Sequence, residues 1–168
     1  TNLGLDAGYN LAIRKALEFE PDYILVSVVD VVLDPDCLTH QVEKMESDPK
    51  IGIVGPILFH DNDPDIVQSY GFRVDSRSVS AEPLYAGRVE QHELPDCIEA
   101  DYVDGGTTLI RRSVIEQLGG MDEKLCIYAE DVDLCFRTWR LGYKVVAISR
   151  AKAYHRYYEK RTEGPPPY

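Results

Sequence analysis

The chain has 168 residues, of which 44% are hydrophobic and 28% are charged, a composition typical of one globular α/β domain. Its net charge is −11 and its basic residues form no block, which argues against a nucleic-acid partner because a phosphate backbone needs clustered cations. The four cysteines are far apart and form no C-x-x-C pair, so we expect reduced thiols in a cytoplasmic protein: Cys37, Cys97, Cys126 and Cys135.

The two ends of the chain suggest a piece of a longer protein. Residue 1 is threonine rather than methionine, and it leads directly into a motif. Residues 161–168 are rich in proline and are predicted to be a tail that follows one domain over residues 1–160. No apolar run approaches the roughly 20 residues that a membrane helix needs, and no signal peptide is recognisable.

The first part of the chain predicts a helix and then a strand–helix–strand unit. A glycine turn opens the helix at residues 4–20, and Pro21 ends it. The next elements are a strand buried on both faces, a helix and a second buried strand, at residues 23–29, 37–46 and 51–59. This order predicts a right-handed parallel crossover and a mostly parallel sheet flanked by helices, which is an α/β fold.

Residues 60–100 alternate irregularly between aromatic and polar side chains, which indicates short hairpin strands and loops. Further strands and helices are then predicted, with Gly105-Gly106 near the start of the third long strand and Gly119-Gly120 ending a helix. These elements are a strand at 102–111, helices at 112–118 and 130–141, and a last strand at 143–148 that precedes His155.

Asp30 is the first candidate for chemistry, because it ends the buried strand that starts at Tyr23. Ligands of open α/β sheets bind beyond the carboxyl ends of the strands, where a carboxylate can hold Mg²⁺ or Mn²⁺ against a diphosphate. The alternative is that Asp30 only caps the turn between strand and helix.

The second candidate is the acidic start of the last helix, where Glu130, Asp131 and Asp133 crowd one turn. The helix dipole favours negative charge there, so ordinary helix-end electrostatics is one explanation. A helix start does not need three acids, however, and the excess indicates a general base. Arg137 lies four residues after Asp133 and is expected to pair with it. A lone histidine such as His155 is more often structural than a metal ligand, so by itself it indicates little.

In chain order these segments resemble the family 2 glycosyltransferases of the GT-A fold, most of all the rhamnosyltransferase-type members. Residues 2–10 are similar to the N-x-G-x-x-x-G-x-N segment of that family, and residues 29–36 to its metal-binding aspartate stretch. Residues 105–112 and 119–123 resemble the G-x-x-x-x-x-R-R and G-G-F-D-E patterns. Residues 130–137, with Gly142-Tyr143 and His155, look like the E-D-x-D-L helix and the closing histidine.

The resemblance implies inverting, single transfer of a sugar from a nucleoside-diphosphate donor to a hydroxyl of a carbohydrate or lipid-linked acceptor. Asp131 would be the base, Glu130 and Asp133 would orient it or the acceptor, and Asp30 with His155 would hold Mn²⁺ or Mg²⁺. The substrate-binding positions implied by the matching motifs are Asn2, Gly8, Asn10, Asp104, Gly105, Gly106 and Arg137. A cytoplasmic enzyme, peripheral to the inner face of the membrane, is expected. The Q-x-x-R-W segment of processive members is missing, because Arg137 and Arg140 lie inside the helix.

Two departures from the family pattern keep other functions open. Val28 stands where the family has Asn or Asp, and the strands that hold the nucleotide in the family would precede Thr1. A sheet without those strands would expose a hydrophobic edge, through which self-association is expected. The alternatives are a non-catalytic binding or scaffold domain and, less favoured, a metal-dependent pyrophosphate-cleaving enzyme on another fold.

Overall fold

The structure, a computed structural model, describes residues 4–75, 80–88, 94–125 and 129–156. The predicted tail at 161–168 lies outside these residues. The described helices are α1 (Leu5–Leu17), α2 (Cys37–Ser47), α3 (Arg112–Leu118) and α4 (Glu130–Arg140). The described strands are β1 (Tyr23–Ser27), β2 (Val31–Leu33), β3 (Ile51–His60), β4 (Asp63–Ser69), β5 (Phe72–Asp75), β6 (Ser80–Pro83), β7 (Gly87–Arg88), β8 (Cys97–Glu99), β9 (Thr107–Arg111) and β10 (Lys144–His155).

The central sheet confirms the predicted α/β class and is more mixed than the sequence indicated. Its main path runs in the order β1-β9-β3-β10-β2. Strand β9 is antiparallel to both β1 and β3, while β3 and β10 pair in parallel. Strands β1, β3 and β10 therefore point the same way. The predicted crossover joins strands of one direction that are not neighbours, because β9 lies between them.

Helices cover both faces of this sheet, and the side chains of its central strands alternate between the two layers. On one face Val54, Leu109 and Val146 pack with Cys37 and Met45 of α2. On the other face the next residues along the same strands pack against α1, α3 and α4: Ile53, Ile110 and Val145 with Ile13, Val114 and Leu134. Each of these buried aliphatic side chains contributes about 1.5–3 kcal/mol, so this two-sided core fixes where the strand ends lie.

The described residues between 60 and 100 form short strands, as predicted, while residues 76–79 and 89–93 lie outside the described ranges. Strand β4 folds back on β3, β5 pairs with β6, β7 pairs with β4, and β8 pairs with the first half of β10. Several boundaries differ from the prediction. Helix α1 ends at Leu17 rather than near residue 20, and β1 ends at Ser27 rather than at Val29. Strand β9 begins at Thr107, because residues 104–106 form a turn, and β10 continues to His155 instead of ending near Ile148.

Strand β1 is the last strand at one side of the sheet and, in the described part of the chain, pairs with β9 alone. Its inward side chains Ile24 and Val26 are buried all the same. The expected self-association through this edge stays a prediction. No helix in the described ranges combines the length and the hydrophobicity that a membrane crossing requires.

Candidate active site

The strand directions bring the candidate residues to one edge of the sheet. Asp30 lies in the turn after β1, and His155 is the last residue of β10, so both follow the carboxyl ends of strands that run the same way. The turn at 104–106 precedes β9, which runs in the opposite direction and therefore starts at the same edge. This is the edge at which open α/β sheets bind ligands.

Asp30 and His155 face each other across this edge. The distance between Oδ1 of Asp30 and Nε2 of His155 is 3.6 Å. The backbone holds both residues, because His155 is paired with Val31 in the ladder of β10 and β2, and the Arg156 N–H donates to the Asp30 carbonyl at 2.9 Å. The predicted metal-binding residues are therefore brought together by main-chain pairing.

The chemistry of this pair fits a divalent cation. Two donors bound to one ion with bonds of about 2.1 Å stand roughly 3–3.5 Å apart, so a closure of a few tenths of an ångström suffices. Within the described residues no group of three or more His, Cys, Asp or Glu side chains could hold a metal ion. The pair would therefore supply two ligands and leave the others to substrate phosphates and water, as is usual for Mg²⁺.

Asp131 lies in the first turn of α4, next to the glycine turn. Its Oδ2 accepts the Gly105 N–H at 3.1 Å, and its Oδ1 accepts the Val132 N–H at 2.8 Å. Burial raises the pKa of the Asp131 carboxyl, the negative charge of Asp104 adds to the increase, and the backbone hydrogen bonds oppose it. A carboxylate with a raised pKa is a better general base near neutral pH.

A small cavity of about 20 Å³ adjoins Asp131, enough space for about one water molecule. Glu130 lines the same cavity, so the two acids at the start of α4 share one space. The lining residues are Tyr9, Val26, Val103, Gly105, Thr108, Ile110, Met121, Glu130, Asp131, Leu134 and Cys135.

The glycine pair Gly105-Gly106 permits the close approach of Asp131 and Asp104. A Cβ added to Gly105 would lie 3.0 Å from Cβ of Asp131, and one added to Gly106 would lie 2.9 Å from Oδ1 of Asp104. Asp104 also accepts the Gly106 N–H at 2.8 Å through that oxygen, which closes the turn. These two positions therefore need glycine for steric reasons, and the turn and Asp131 form one unit.

Tyr9 is a site residue that the sequence analysis missed. It lines the cavity with Glu130 and Asp131. Burial raises the pKa of its phenol, and the charges of Glu130, Asp6, Asp131 and Asp30 raise it further. The phenol thus lies where acids from three separate segments meet. Its place next to Asn10, inside the α1 motif, was the only signal for it in the sequence.

Two predicted site residues, Asp133 and Arg137, pair with each other. Asp133 accepts from Arg137 Nε at 2.6 Å, as the spacing indicated, and Arg137 Nη1 donates to the Gly120 carbonyl at 2.9 Å. The pair thereby holds the turn that follows α3. The ion pair directs both side chains to this turn, and the catalytic role of Asp133 and the substrate-binding role of Arg137 stay predictions.

Asn10 also bonds to the turn after α3, and its substrate-binding role stays a prediction. Its side chain is buried, its Oδ1 accepts the Met121 N–H at 2.8 Å, and its Nδ2 donates to the Met121 carbonyl at 3.0 Å and to Oε1 of Glu123 at 2.9 Å. Both amide hydrogens and the oxygen are used, so the side chain joins α1 to the turn after α3.

The other substrate-binding predictions remain predictions. Gly8 is exposed on α1, and a Cβ added there would meet no atom within 4 Å, so packing does not explain a glycine at this position. Asn2 lies outside the described residues. Asp104 is half-buried at the same edge as Asp30, with Oδ2 at 3.5 Å from the Ser69 hydroxyl.

Comparisons with known proteins identify the family of the chain. The profile of the glycosyl transferase family group 2 matches residues 29–164. The N-acetylglucosaminyl-diphospho-decaprenol L-rhamnosyltransferase of Mycobacterium tuberculosis is 26% identical over 92% of this chain and 56% of its own length. Human hyaluronan synthase 3 is 29% identical over 82% of this chain and 25% of its own. The chain thus spans about half, or less, of these relatives.

Solved structures of similar fold extend the comparison. GalNAc-T7, crystallised with UDP, GalNAc and Mn²⁺, gives a TM-score of 0.73 at 17% identity and covers 98% of this chain and 32% of its own. The mannosyltransferase PcManGT of Pyrobaculum calidifontis, in complex with GDP-Man and Mn²⁺, gives 0.62 at 16% identity, covering 95% and 38%. At these identities the likeness establishes the fold alone.

Proposed function

Since this chain belongs to the glycosyl transferase family group 2, we propose that it forms the acceptor side of a glycosyltransferase active site. The reaction would be a single inverting displacement. The acceptor hydroxyl oxygen forms a bond to the anomeric carbon, the bond from that carbon to the diphosphate oxygen breaks, and the nucleoside diphosphate leaves with the electron pair.

The observation that carries this proposal is the Asp131 carboxylate. It is fixed by the Gly105 N–H beside a small cavity, and burial raises its pKa. In the proposed reaction Asp131 takes the proton of the attacking hydroxyl as the new bond forms. Glu130 borders the same cavity and would orient the acceptor.

Asp30 and His155 are proposed to hold Mn²⁺ or Mg²⁺, which when bound would neutralise the charge of the diphosphate leaving group. Four acids lie at this edge of the sheet and at the start of α4: Asp30, Asp104, Glu130 and Asp131. Without a cation, an anionic donor would therefore meet uncompensated negative charge. Two solved structures of the same fold carry Mn²⁺ with a nucleotide or nucleotide sugar, which supports this assignment.

The finer features of the proposal rest on the relatives and on the sequence. One relative is named for a diphospho-decaprenol acceptor, which supports a carbohydrate or lipid-linked acceptor and a place at the inner face of the membrane. The position of Arg137 and Arg140 within α4 leaves no processive Q-x-x-R-W segment in this stretch, which supports single transfer.

The proposal is tested by Asp131→Asn in the full-length protein. We expect the transfer rate to fall about 10²–10⁴-fold, the usual contribution of a general base. Nucleoside diphosphate binding with Mn²⁺, followed by titration calorimetry, should stay within about twofold, since removing the base alone leaves uniform binding intact. Glu116→Gln, on the exposed side of α3, is the matched acid-to-amide control. Equal loss of transfer and of donor binding would assign Asp131 another role.

A non-catalytic scaffold is the second candidate, and the apolar residues before Asp30 favour it. Val28 uses its backbone N–H to bond the Gly106 carbonyl at 2.9 Å, and the Val29 side chain is fully exposed. Neither side chain can help to hold a cation. A full-length protein that fails to bind nucleoside diphosphates with Mn²⁺ would favour this candidate.

A further inference from the structure

Gln68, on strand β4, contacts His155 with its side-chain amide. Its Nε2 lies 3.0 Å and its Oε1 3.2 Å from Nδ1 of His155, so either amide atom can form the hydrogen bond. Gln68 is half-buried, and in the described part of the chain its side-chain hydrogen bonds go to His155. We propose that Gln68 is a positioning residue that selects which ring nitrogen of His155 carries the proton, and thereby whether Nε2 can bind a cation.

Two arrangements follow from the chemistry of the amide and the imidazole. If Oε1 of Gln68 accepts from Nδ1–H, the lone pair of the neutral ring lies on Nε2, which faces the Asp30 carboxylate. If Nε2 of Gln68 donates to Nδ1, the ring carries its proton on Nε2 and cannot ligate through that atom. In the first arrangement Nε2 of His155 and the Asp30 carboxylate can both bind one cation. In the second arrangement only Asp30 can.

The contact of His155 with Asp30 does not by itself fix this choice. Nε2 of His155 and Oδ1 of Asp30 are 3.6 Å apart, beyond the roughly 3.2 Å of a good hydrogen bond. Asp30 therefore holds an Nε2–H weakly, whereas both amide atoms of Gln68 are within bonding distance of Nδ1. Hydrogen bonds to the distal nitrogen commonly orient metal-binding histidines and set their tautomer. Gln68 occupies that place here.

This inference rests on the proposed cation role of His155, and its test separates the two. The full-length protein is labelled with ¹⁵N-histidine, and the tautomer of His155 is read from two-bond ¹H–¹⁵N correlations at about pH 8, where an ordinary imidazole is neutral. The His155→Asn variant identifies the signal. The same samples are titrated with Mn²⁺ and followed by electron paramagnetic resonance.

Gln68→Glu keeps the shape and leaves only an acceptor, so it should fix the proton on Nδ1 and preserve or tighten Mn²⁺ binding. Gln68→Met removes the hydrogen bond, so the tautomer populations should change and Mn²⁺ affinity should fall about 10- to 100-fold, as for other outer-shell partners. Gln117→Met, an exposed glutamine on α3, is the control and should leave both unchanged.

Unchanged His155 signals in both Gln68 variants would overturn the inference, as would a Mn²⁺ affinity within twofold of the parent in Gln68→Met. A tautomer that follows the Gln68 variants in a protein that binds no Mn²⁺ would support the proton selection by Gln68. That result would refute the proposed cation site separately.

Discussion

Gly105→Ala tests whether the glycine turn positions the proposed base. Gly105 does not have a positive φ, so its backbone accepts alanine and the effect is steric. The new Cβ would lie 3.0 Å from Cβ of Asp131, where ordinary contacts begin near 3.4 Å. The carboxylate must therefore move by about 0.4 Å, and since a 1 Å displacement costs about 10²-fold, we expect a loss of about 5- to 10-fold in kcat.

The assay is initial-rate sugar transfer by the full-length protein, with thermal unfolding and donor binding measured beside it. The loss corresponds to about 1–1.4 kcal/mol of transition-state stabilisation. The decisive control is the same substitution in the Asp131→Asn background. If Gly105 acts through Asp131, the second loss should be much smaller there. An equal loss in both backgrounds, or none in either, would refute the reasoning.

Three further predictions concern the acids and the structural amide. Burial raises the pKa of Asp131, so kcat/KM should increase with pH, with a midpoint above the ordinary aspartate pKa of about 3.9. Asp104→Asn removes a negative charge beside Asp131 and should move this midpoint to lower pH. Asn10→Ala should lower the unfolding free energy by about 2–4 kcal/mol in denaturant melts, because it breaks three hydrogen bonds, while donor affinity is kept. Asp6 is buried with no hydrogen-bond partner for either oxygen among the described residues, and burial, then nearby acids, raises its pKa. Protonation of Asp6 thus favours the folded protein, which loses stability as the pH rises through the raised pKa of this residue. Asp6→Ala should therefore stabilise the protein by about 1 kcal/mol at pH 7 and by less near pH 4. A gain that is independent of pH would contradict this.

The sequence predicts the position of a residue wherever the neighbouring residues determine it. The apolar run that precedes Asp30 predicted a strand that stops at an edge of the sheet, and Ile24 and Val26 of β1 are buried. The apolar residues at the start of β10 are buried as well, and this strand ends at His155. Because those strands point the same way, their ends meet, and the 3.6 Å approach follows. The direction of β9 could not be predicted in this way, since five residues of buried strand have the same pattern whichever way they run.

Gln68 and Tyr9 were missed because their roles depend on contacts between distant segments. Gln68 is 87 residues from His155, and its strand is too short and too irregular in pattern to show its partner. Tyr9 belongs to α1 and borders a cavity formed largely by α4 and the central strands. No periodicity in either segment records such a meeting, which only the packed core creates.

The spacing of the acids in the first turn of α4 predicts on which side of the helix each one lies. Residues of an α-helix are about 100° apart, so Asp131 and Asp133 project about 200° apart, on nearly opposite sides. One side bears Arg137, four residues on, and takes Asp133 into the ion pair that holds the Gly120 turn. The opposite side meets the glycine turn, where Asp131 accepts the Gly105 N–H. Helical geometry thus sends the two acids to different partners. Because the basic residues of α4 lie in its last turn, none of them pairs with Asp131 along this helix, which is why Asp131 is the acid that we propose acts on a substrate.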